Sequence, residues 1–298
     1  MTPRRNRPPL SRRRAWLLAA LAVALAGAVV AIRVARPGVP PDVPAPVWGI
    51  TIDSVVAIDE IEPALEGFRH KLTARIVFDP GTTAAEYRPA MVRIARHAWI
   101  MAEICDSYYM KKVDLASFQA ATRDYYDGLK DIVNIWEIGN ELNGEWLGDI
   151  PGVVAKTEYA TEYVKARGGR TALTLCWNHD CPDTPRLEIW AWVAKNLTPR
   201  LRRNLDYVLL SYYEANCPPP PDWGPIFRRL GAEFPNAKVG FGEVGAEDPA
   251  KKPDLLRRYY GLKVDAPRYV GGYFWWYFNE DMLPKSRSMW KVLQEAVP

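Results

Sequence analysis

Two short stretches hold residue types that can do chemistry. Trp136-Glu137-Ile138-Gly139-Asn140-Glu141-Leu142-Asn143-Gly144-Glu145-Trp146 continues a mostly apolar run from Ile132. An amide and a carboxyl therefore emerge side by side where a buried strand would leave a core. Lys238-Val239-Gly240-Phe241-Gly242-Glu243-Val244-Gly245 repeats the arrangement about a hundred residues later, again with one carboxyl at the end of a short apolar strand. Two carboxyls delivered by separate strands are what cleavage of a glycosidic bond needs: one protonates the leaving oxygen, the other attacks or activates water. Singly, each Glu reads as well as a solvated loop acid or the neighbour of a helix cap. The pair carries the weight.

The elements that must position them alternate. Strand patterns fall at 47–53, 73–79, 99–105, 133–139, 171–177, 206–212, 238–243 and 269–277. Helical patterns lie between and after them, at 58–69, 84–97, 114–130, 152–167, 185–203, 222–233, 252–262 and 286–296. Strands alternating with helices imply a parallel sheet. Eight such units from residue 47 to 298 fit an α/β fold of the closed TIM-barrel type, (β/α)8, whose strands all open at their C-terminal ends onto one face. On that face Glu141, after the fourth strand, and Glu243, after the seventh, converge. An open doubly wound sheet is the rival, but its first strand normally ends in a phosphate-binding loop, and here it ends Thr51-Ile52-Asp53-Ser54. Gly240 to Gly245 formally matches G-x-G-x-x-G. It opens no helix directly and carries a carboxylate in the turn, so no dinucleotide cofactor is expected.

Charge is uneven along the chain. The formal net charge of +4 comes from eight Arg and no acid in residues 1–36; the rest holds 31 basic and 35 acidic residues, about −4. A mildly acidic body gives no reason to expect nucleic acid. Twelve Trp and fifteen Tyr supply flat faces that suit sugar rings, although most aromatics fill cores. Residues 1–14 form a basic n-region, and Ala15 to Ile32 is uncharged and apolar. That length just spans a thin bilayer at about 1.5 Å per residue. Segment 15–35 reads as a membrane anchor, or as a cleaved signal peptide with Ala26-Gly27-Ala28 as the small-residue site. The apolar run continues past that site, which favours the anchor. The basic flank then stays in the cytoplasm and the body faces the periplasmic or extracellular side. Ser11-Arg12-Arg13 hints at twin-arginine export. Five prolines in 36–46 read as a stiff linker. Export permits disulfides, and one bridge among Cys176, Cys181 and Cys217 is expected, with Cys105 a buried thiol. His70, His97 and His179 are scattered, and no Cys/His spacing suggests a metal site.

With these residues in place, the chain resembles the large clan of retaining glycoside hydrolases built on (β/α)8 barrels, which includes cellulases, mannanases, xylosidases and arabinofuranosidases. Trp136 to Glu141 matches the clan's Asn-Glu pair after strand four, and Phe241-Gly242-Glu243 its lone Glu after strand seven. The likeness covers roughly residues 47–298, rests on these motifs and assigns no single family. It implies Glu141 as general acid/base, Glu243 as nucleophile and Asn140 as a hydrogen-bond partner of a sugar 2-hydroxyl. It implies Arg75 as the strand-two arginine that orients and ionises the nucleophile, and Tyr213 as the strand-six tyrosine that donates to it. Ser211 stands where the clan usually has His. A Trp after strand eight floors the reacting sugar; alternation sends only one of Trp275 and Trp276 inward, and we assign Trp276. Burial and the nearby carboxylate should raise the pKa of Glu141, while Arg75 keeps Glu243 ionised.

Position alone adds Trp177, Asn178 and His179, which follow strand five and can line a sugar groove. Asp53, Asp79 and Asp106 end strands one to three and either bind hydroxyls or cap helices. The expectation is an exported, anchored glycosidase acting on a polysaccharide or glycoconjugate, with no cofactor. The alternatives are a non-catalytic carbohydrate-binding barrel and an assembly subunit of the envelope. Short loops after most strands favour an open groove and endo action.

Overall fold

In a computed structural model, residues 39–179, 181 and 187–297 are described. Eight parallel strands close into a barrel in sequence order. They are β1 (Val47–Ile52), β2 (Thr73–Val77), β3 (Trp99–Glu103), β4 (Ile135–Glu137), β5 (Thr171–Cys176), β6 (Tyr207–Tyr212), β7 (Lys238–Val244) and β8 (Gly271–Trp275). The helices are α1 (Ile58–Glu66), α2 (Ala84–His97), α3 (Ser107–Met110), α4 (Leu115–Leu129), α5 (Ile150–Ala166), α6 (Ile189–Asn196), α7 (Pro199–Asn204), α8 (Trp223–Glu233), α9 (Lys252–Tyr260), α10 (Phe278–Met282) and α11 (Ser288–Ala296). β8 pairs with β1 and closes the ring.

Alternation sorts each strand's side chains into two layers. One set faces the helices: Ile100, Trp136, Leu173, Val208 and Leu210 join the large core cluster. The other faces the barrel axis. Near the N-terminal ends it is apolar, with Val47, Met101, Ile135, Ala172, Leu209 and Phe274. Two residues further along, the inward positions turn polar: Glu103 after Met101, Glu137 after Ile135, Thr174 after Ala172 and Ser211 after Leu209. The same eight strands thus build a dry plug below and a polar chamber above it.

Between β6 and β7 the register shifts, so that Ser211 stands opposite Glu243. Gly242, skipped by the shift, faces inward; a Cβ there would lie 2.6 Å from Thr174 Oγ1. In β8, Gly272 has φ +101° and would put a Cβ 1.9 Å from the Phe241 carbonyl oxygen, so only glycine serves there.

Several expectations change. The helix read at 185–203 is two helices, because Thr198 accepts from the Leu201 amide at 3.2 Å as N-cap and Pro199 starts a new turn. Residues 182–186 lie outside the described residues. The fourth strand shortens to Ile135–Glu137, and the short helices α3 and α10 were not foreseen. Part of the linker at 36–46 is a floor and not a spacer. Arg170 donates to Pro40 O at 2.7 Å, Asn134 to Pro41 O at 2.9 Å, and both Tyr207 and Lys238 hold the Asp42 carboxylate, at 2.6 and 2.7 Å. Val43 is buried against the inner apolar layer. Cys181 and Cys217 are bridged, while Cys105 and Cys176 are free thiols, Cys105 buried. The basic n-region and the anchor or signal segment lie outside the described residues; among the described residues, no helix is long and apolar enough to cross a membrane.

Candidate active site

Glu141 leaves β4 through Ile138-Gly139-Asn140 and sits at φ +50°, a left-handed conformation that costs about 1–3 kcal/mol in a non-glycine residue. The surrounding chain holds it there. Asn143, fully buried, brackets β5 by accepting from the Cys176 amide at 2.8 Å and donating to the Cys176 carbonyl at 2.9 Å. The Glu141 carboxyl, intermediate in exposure, takes one hydroxyl on each oxygen: Ser211 on Oε1 at 2.6 Å and Ser107 on Oε2 at 3.0 Å. Trp146 in turn donates its indole N–H to Ser107 at 2.9 Å.

Glu243 ends β7, nearly buried, beside Ser211 in the register. Tyr213 donates to its Oε1 at 2.8 Å and Arg75 Nη1 to its Oε2 at 2.8 Å. One serine thus touches Glu141 by its side chain and adjoins Glu243 by its backbone, which brings the two carboxyls to a common chamber. Arg75 is wholly buried and meets two further carboxyls, Glu137 at 2.6 Å and Glu103 at 2.9 Å. Thr174 also donates to Glu137.

The ring of Trp276 lies 5.6 Å from the Arg75 guanidinium carbon and is partly exposed. Trp275 is fully buried on the helix side and donates to Asp281 at 2.9 Å. The pair divides as alternation requires. Asn140 is buried, and its side-chain oxygen has no hydrogen-bond partner within the protein. A cavity of about 750 Å³ opens beside Tyr213, between the loops after β6 and β7, with Glu214, Gly245, Glu247 and Arg258 in its wall and neither Glu141 nor Glu243.

Both carboxyls bind protons more tightly than ordinary glutamates. Burial raises Glu141 against the pull of the Ser211 and Ser107 hydroxyls and of Arg75. Burial, then the Glu141 charge, pushes Glu243 up to about 8, although Arg75 and Tyr213 pull the other way. The sequence leads us to expect that Arg75 alone keeps Glu243 ionised; it does not do so by itself, because it also meets Glu137 and Glu103. Two such neighbours titrate as a pair that shares one proton over a range of pH. The donors decide where that proton rests. Glu243 faces a guanidinium, which can only donate, and a tyrosine that burial holds neutral. Glu141 faces two serine hydroxyls, which can donate or accept. By donor type alone, negative charge is better matched at Glu243 and a proton at Glu141.

The remaining expected residues stand elsewhere. Trp177 is buried among Trp190 at 6.0 Å and Trp223 at 5.7 Å, so it is a core residue more than a sugar platform. His179 pairs with Glu188 at 2.8 Å. Both line a rim cavity of about 390 Å³ whose wall includes neither Glu141 nor Glu243. Asp106 caps α3 through the Tyr108 amide at 2.8 Å. Asp79 accepts from the Tyr87 hydroxyl at 3.3 Å. Asp53 keeps one buried oxygen without a partner, and its pKa is raised by burial and by Glu280.

The residues that sequence reasoning passed over are Glu103, Glu137, Thr174 and Ser107. The first three had a signal, since alternation from Met101, Ile135 and Ala172 puts each of them inward. Ser107 had none. Among the described residues, no cluster of His, Cys, Asp and Glu could hold a metal ion.

No protein-family profile and no curated protein matches the sequence. Solved structures do. Gas2p of Saccharomyces cerevisiae in complex with laminaritriose and laminaritetraose is similar at 17% identity and TM-score 0.51, over 84% of this chain and 63% of that one. Gas2p with laminaripentaose is similar at 16% identity and TM-score 0.50, over 88% of this chain and 66% of that one. A beta-glucosidase in its apo form is similar at 16% identity and TM-score 0.52, over 74% and 76%. The chain thus spans a little under two thirds of the first Gas2p chain. At these identities the likeness establishes the fold: this chain is a (β/α)8 barrel of the kind those proteins share.

Proposed function

We propose that this protein is a retaining glycoside hydrolase acting on a polysaccharide or glycoconjugate. The observation that carries the reading is the joining of Glu141 and Glu243 through Ser211, one carboxyl on neutral hydroxyls and the other on Arg75 and Tyr213. Bound laminari-oligosaccharides in Gas2p and the similarity to a beta-glucosidase support a carbohydrate substrate.

The reaction follows from the proton inventory. Glu243 Oε attacks the anomeric carbon as the bond to the leaving oxygen breaks, and the Glu141 proton passes to that oxygen. A glycosyl ester of Glu243 results. Water then attacks the same carbon, Glu141 takes a proton from it, and Glu243 departs as carboxylate; the anomeric configuration is inverted twice and so retained. Trp276 floors the sugar, and the unpartnered Asn140 oxygen accepts from a sugar hydroxyl. Residues 15–35 tether the enzyme to the membrane or direct its export, so that it works at the cell envelope.

A panel of aryl glycosides and envelope polysaccharides, tried on wild type and Glu243→Gln, tests the assignment. Turnover by wild type, its loss in the variant and release of the first-formed sugar with the substrate's anomeric configuration are expected. Binding without turnover in both proteins would leave a carbohydrate-binding barrel, and inverted product would remove double displacement.

A further inference from the structure

Arg75 serves three carboxyls unequally. Glu137 takes its side-on edge, with Nε at 2.6 Å and Nη2 at 3.2 Å. Glu243 receives one N–H, from Nη1 at 2.8 Å. Glu103 stands 2.9 Å from Nη2, yet neither of its oxygens has a hydrogen bond. A two-point grip fixes the plane of a guanidinium; a single contact leaves it free to turn. The direction of Nη1, and with it the support of Glu243, is therefore set from β4. Thr174 fixes Glu137 in turn, and Arg75 and Glu137 have no solvent exposure.

We propose that Glu137 is a positioning residue for the nucleophile: acting through Arg75, it aims one N–H at Glu243 and, as a second anion on the same cation, keeps Glu243 basic enough to attack. This rests on the glycosidase reading above. The charged and titratable groups that face Glu243 are Arg75 from β2, Glu103 from β3, Glu141 from the loop after β4, Cys176 from β5, Tyr213 from the loop after β6 and Tyr277 from the loop after β8. Those on Arg75 are Glu103, Glu137 and Glu243. Removing the Glu137 charge leaves more of the Arg75 charge for Glu243, which then ionises more readily and attacks more weakly.

The test uses full-length wild type, Glu137→Gln, Glu137→Asp, Arg75→Lys and the Arg75→Lys/Glu137→Gln double variant. The probes are a panel of dinitrophenyl glycosides and their 2-deoxy-2-fluoro analogues, the latter to label Glu243. Glu137→Gln should move the acid limb of kcat/KM down by about one pH unit, a tenfold change in ionisation ratio. It should also slow glycosylation about tenfold or more through lost orientation. Glu137→Asp keeps the charge but breaks the grip, so it should slow the reaction with its acid limb in place. In the Arg75→Lys background, Glu137→Gln should add little. An unmoved acid limb in Glu137→Gln, with activity falling only as the folded fraction falls, overturns the inference; so does simple additivity with Arg75→Lys. Should Glu137→Gln fail to fold, full activity in a folded Glu137→Asp overturns it and a loss at unchanged melting temperature upholds it. A wild type that neither turns over nor labels at Glu243 removes the glycosidase reading and this inference together, whereas an active wild type with unmoved variants removes the inference alone.

Discussion

Ser211 lies near the end of its strand, opposite Glu243 in the register, and its hydroxyl meets Glu141 Oε1 at 2.6 Å. Replacing it by alanine isolates what that contact does. A hydrogen bond to an ionised carboxylate is worth about 1.5–3 kcal/mol, and one to the neutral acid about 0.5–1.5 kcal/mol. The difference, about 1–1.5 kcal/mol, corresponds to about one pH unit. Ser211 favours the charged form and lowers the Glu141 pKa, so its removal raises that pKa further. The alkaline limb of kcat/KM, where the acid loses its proton, should therefore move up by about one unit. Ser107 stays on Oε2 at 3.0 Å, so the carboxyl keeps an anchor and the maximal rate should change only a few-fold. The assay is a pH profile on two aryl glycosides, one with a phenyl and one with a dinitrophenyl leaving group. Only the phenyl substrate needs the proton, and only its alkaline limb should shift. A limb that stays in place, moves down, or moves equally for both substrates would refute the assignment of Glu141 as the acid held by Ser211.

Three further outcomes follow from the same geometry. Burial raises the Glu103 pKa well above the usual carboxylate range, so its contribution to stability is full below the unfolded value of about 4.3 and is lost as pH rises through the folded one. Glu103→Gln should thus melt higher than wild type at alkaline pH by about 2–4 °C, with the difference shrinking in acid, as followed by circular dichroism. Trp276→Ala should weaken turnover and substrate binding while leaving the melting temperature nearly intact, whereas Trp275→Ala should cost about 3–5 kcal/mol in urea unfolding. A chain beginning at residue 47 loses the Asp42 contacts and Val43 under the barrel, and it should melt well below one beginning at residue 39 in the same scan.

Much of the architecture is legible in local sequence. Helix α2 (Ala84–His97) has the bounds its pattern gives, because a capping box of Thr83 and Glu86 starts it. β1, β2 and β3 begin at the residues where their apolar runs begin. The patterns fail where something other than hydrophobic period decides. Pro199 breaks an otherwise continuous helical stretch. In 36–46 the proline content hid Asp42, whose partners Tyr207 and Lys238 lie more than 160 residues away. The place of Trp177 after a strand suggests a residue that can line a sugar groove, but Trp190 and Trp223 pack against it and it is buried.

The chain's own periodicity determined that strands and helices alternate, that the strands are parallel, and that Glu141 and Glu243 stand at two strand ends. Side-chain alternation is a local property of an extended backbone, so it can be read residue by residue. Only the closed barrel decided that one guanidinium would meet Glu103, Glu137 and Glu243, that Ser107 and Ser211 would hold Glu141, and that residues 40–43 would seal the floor. Those contacts join elements that are distant in sequence. Their distances depend on strand register, including the shift between β6 and β7, and on the closing of β8 onto β1, neither of which any single segment encodes.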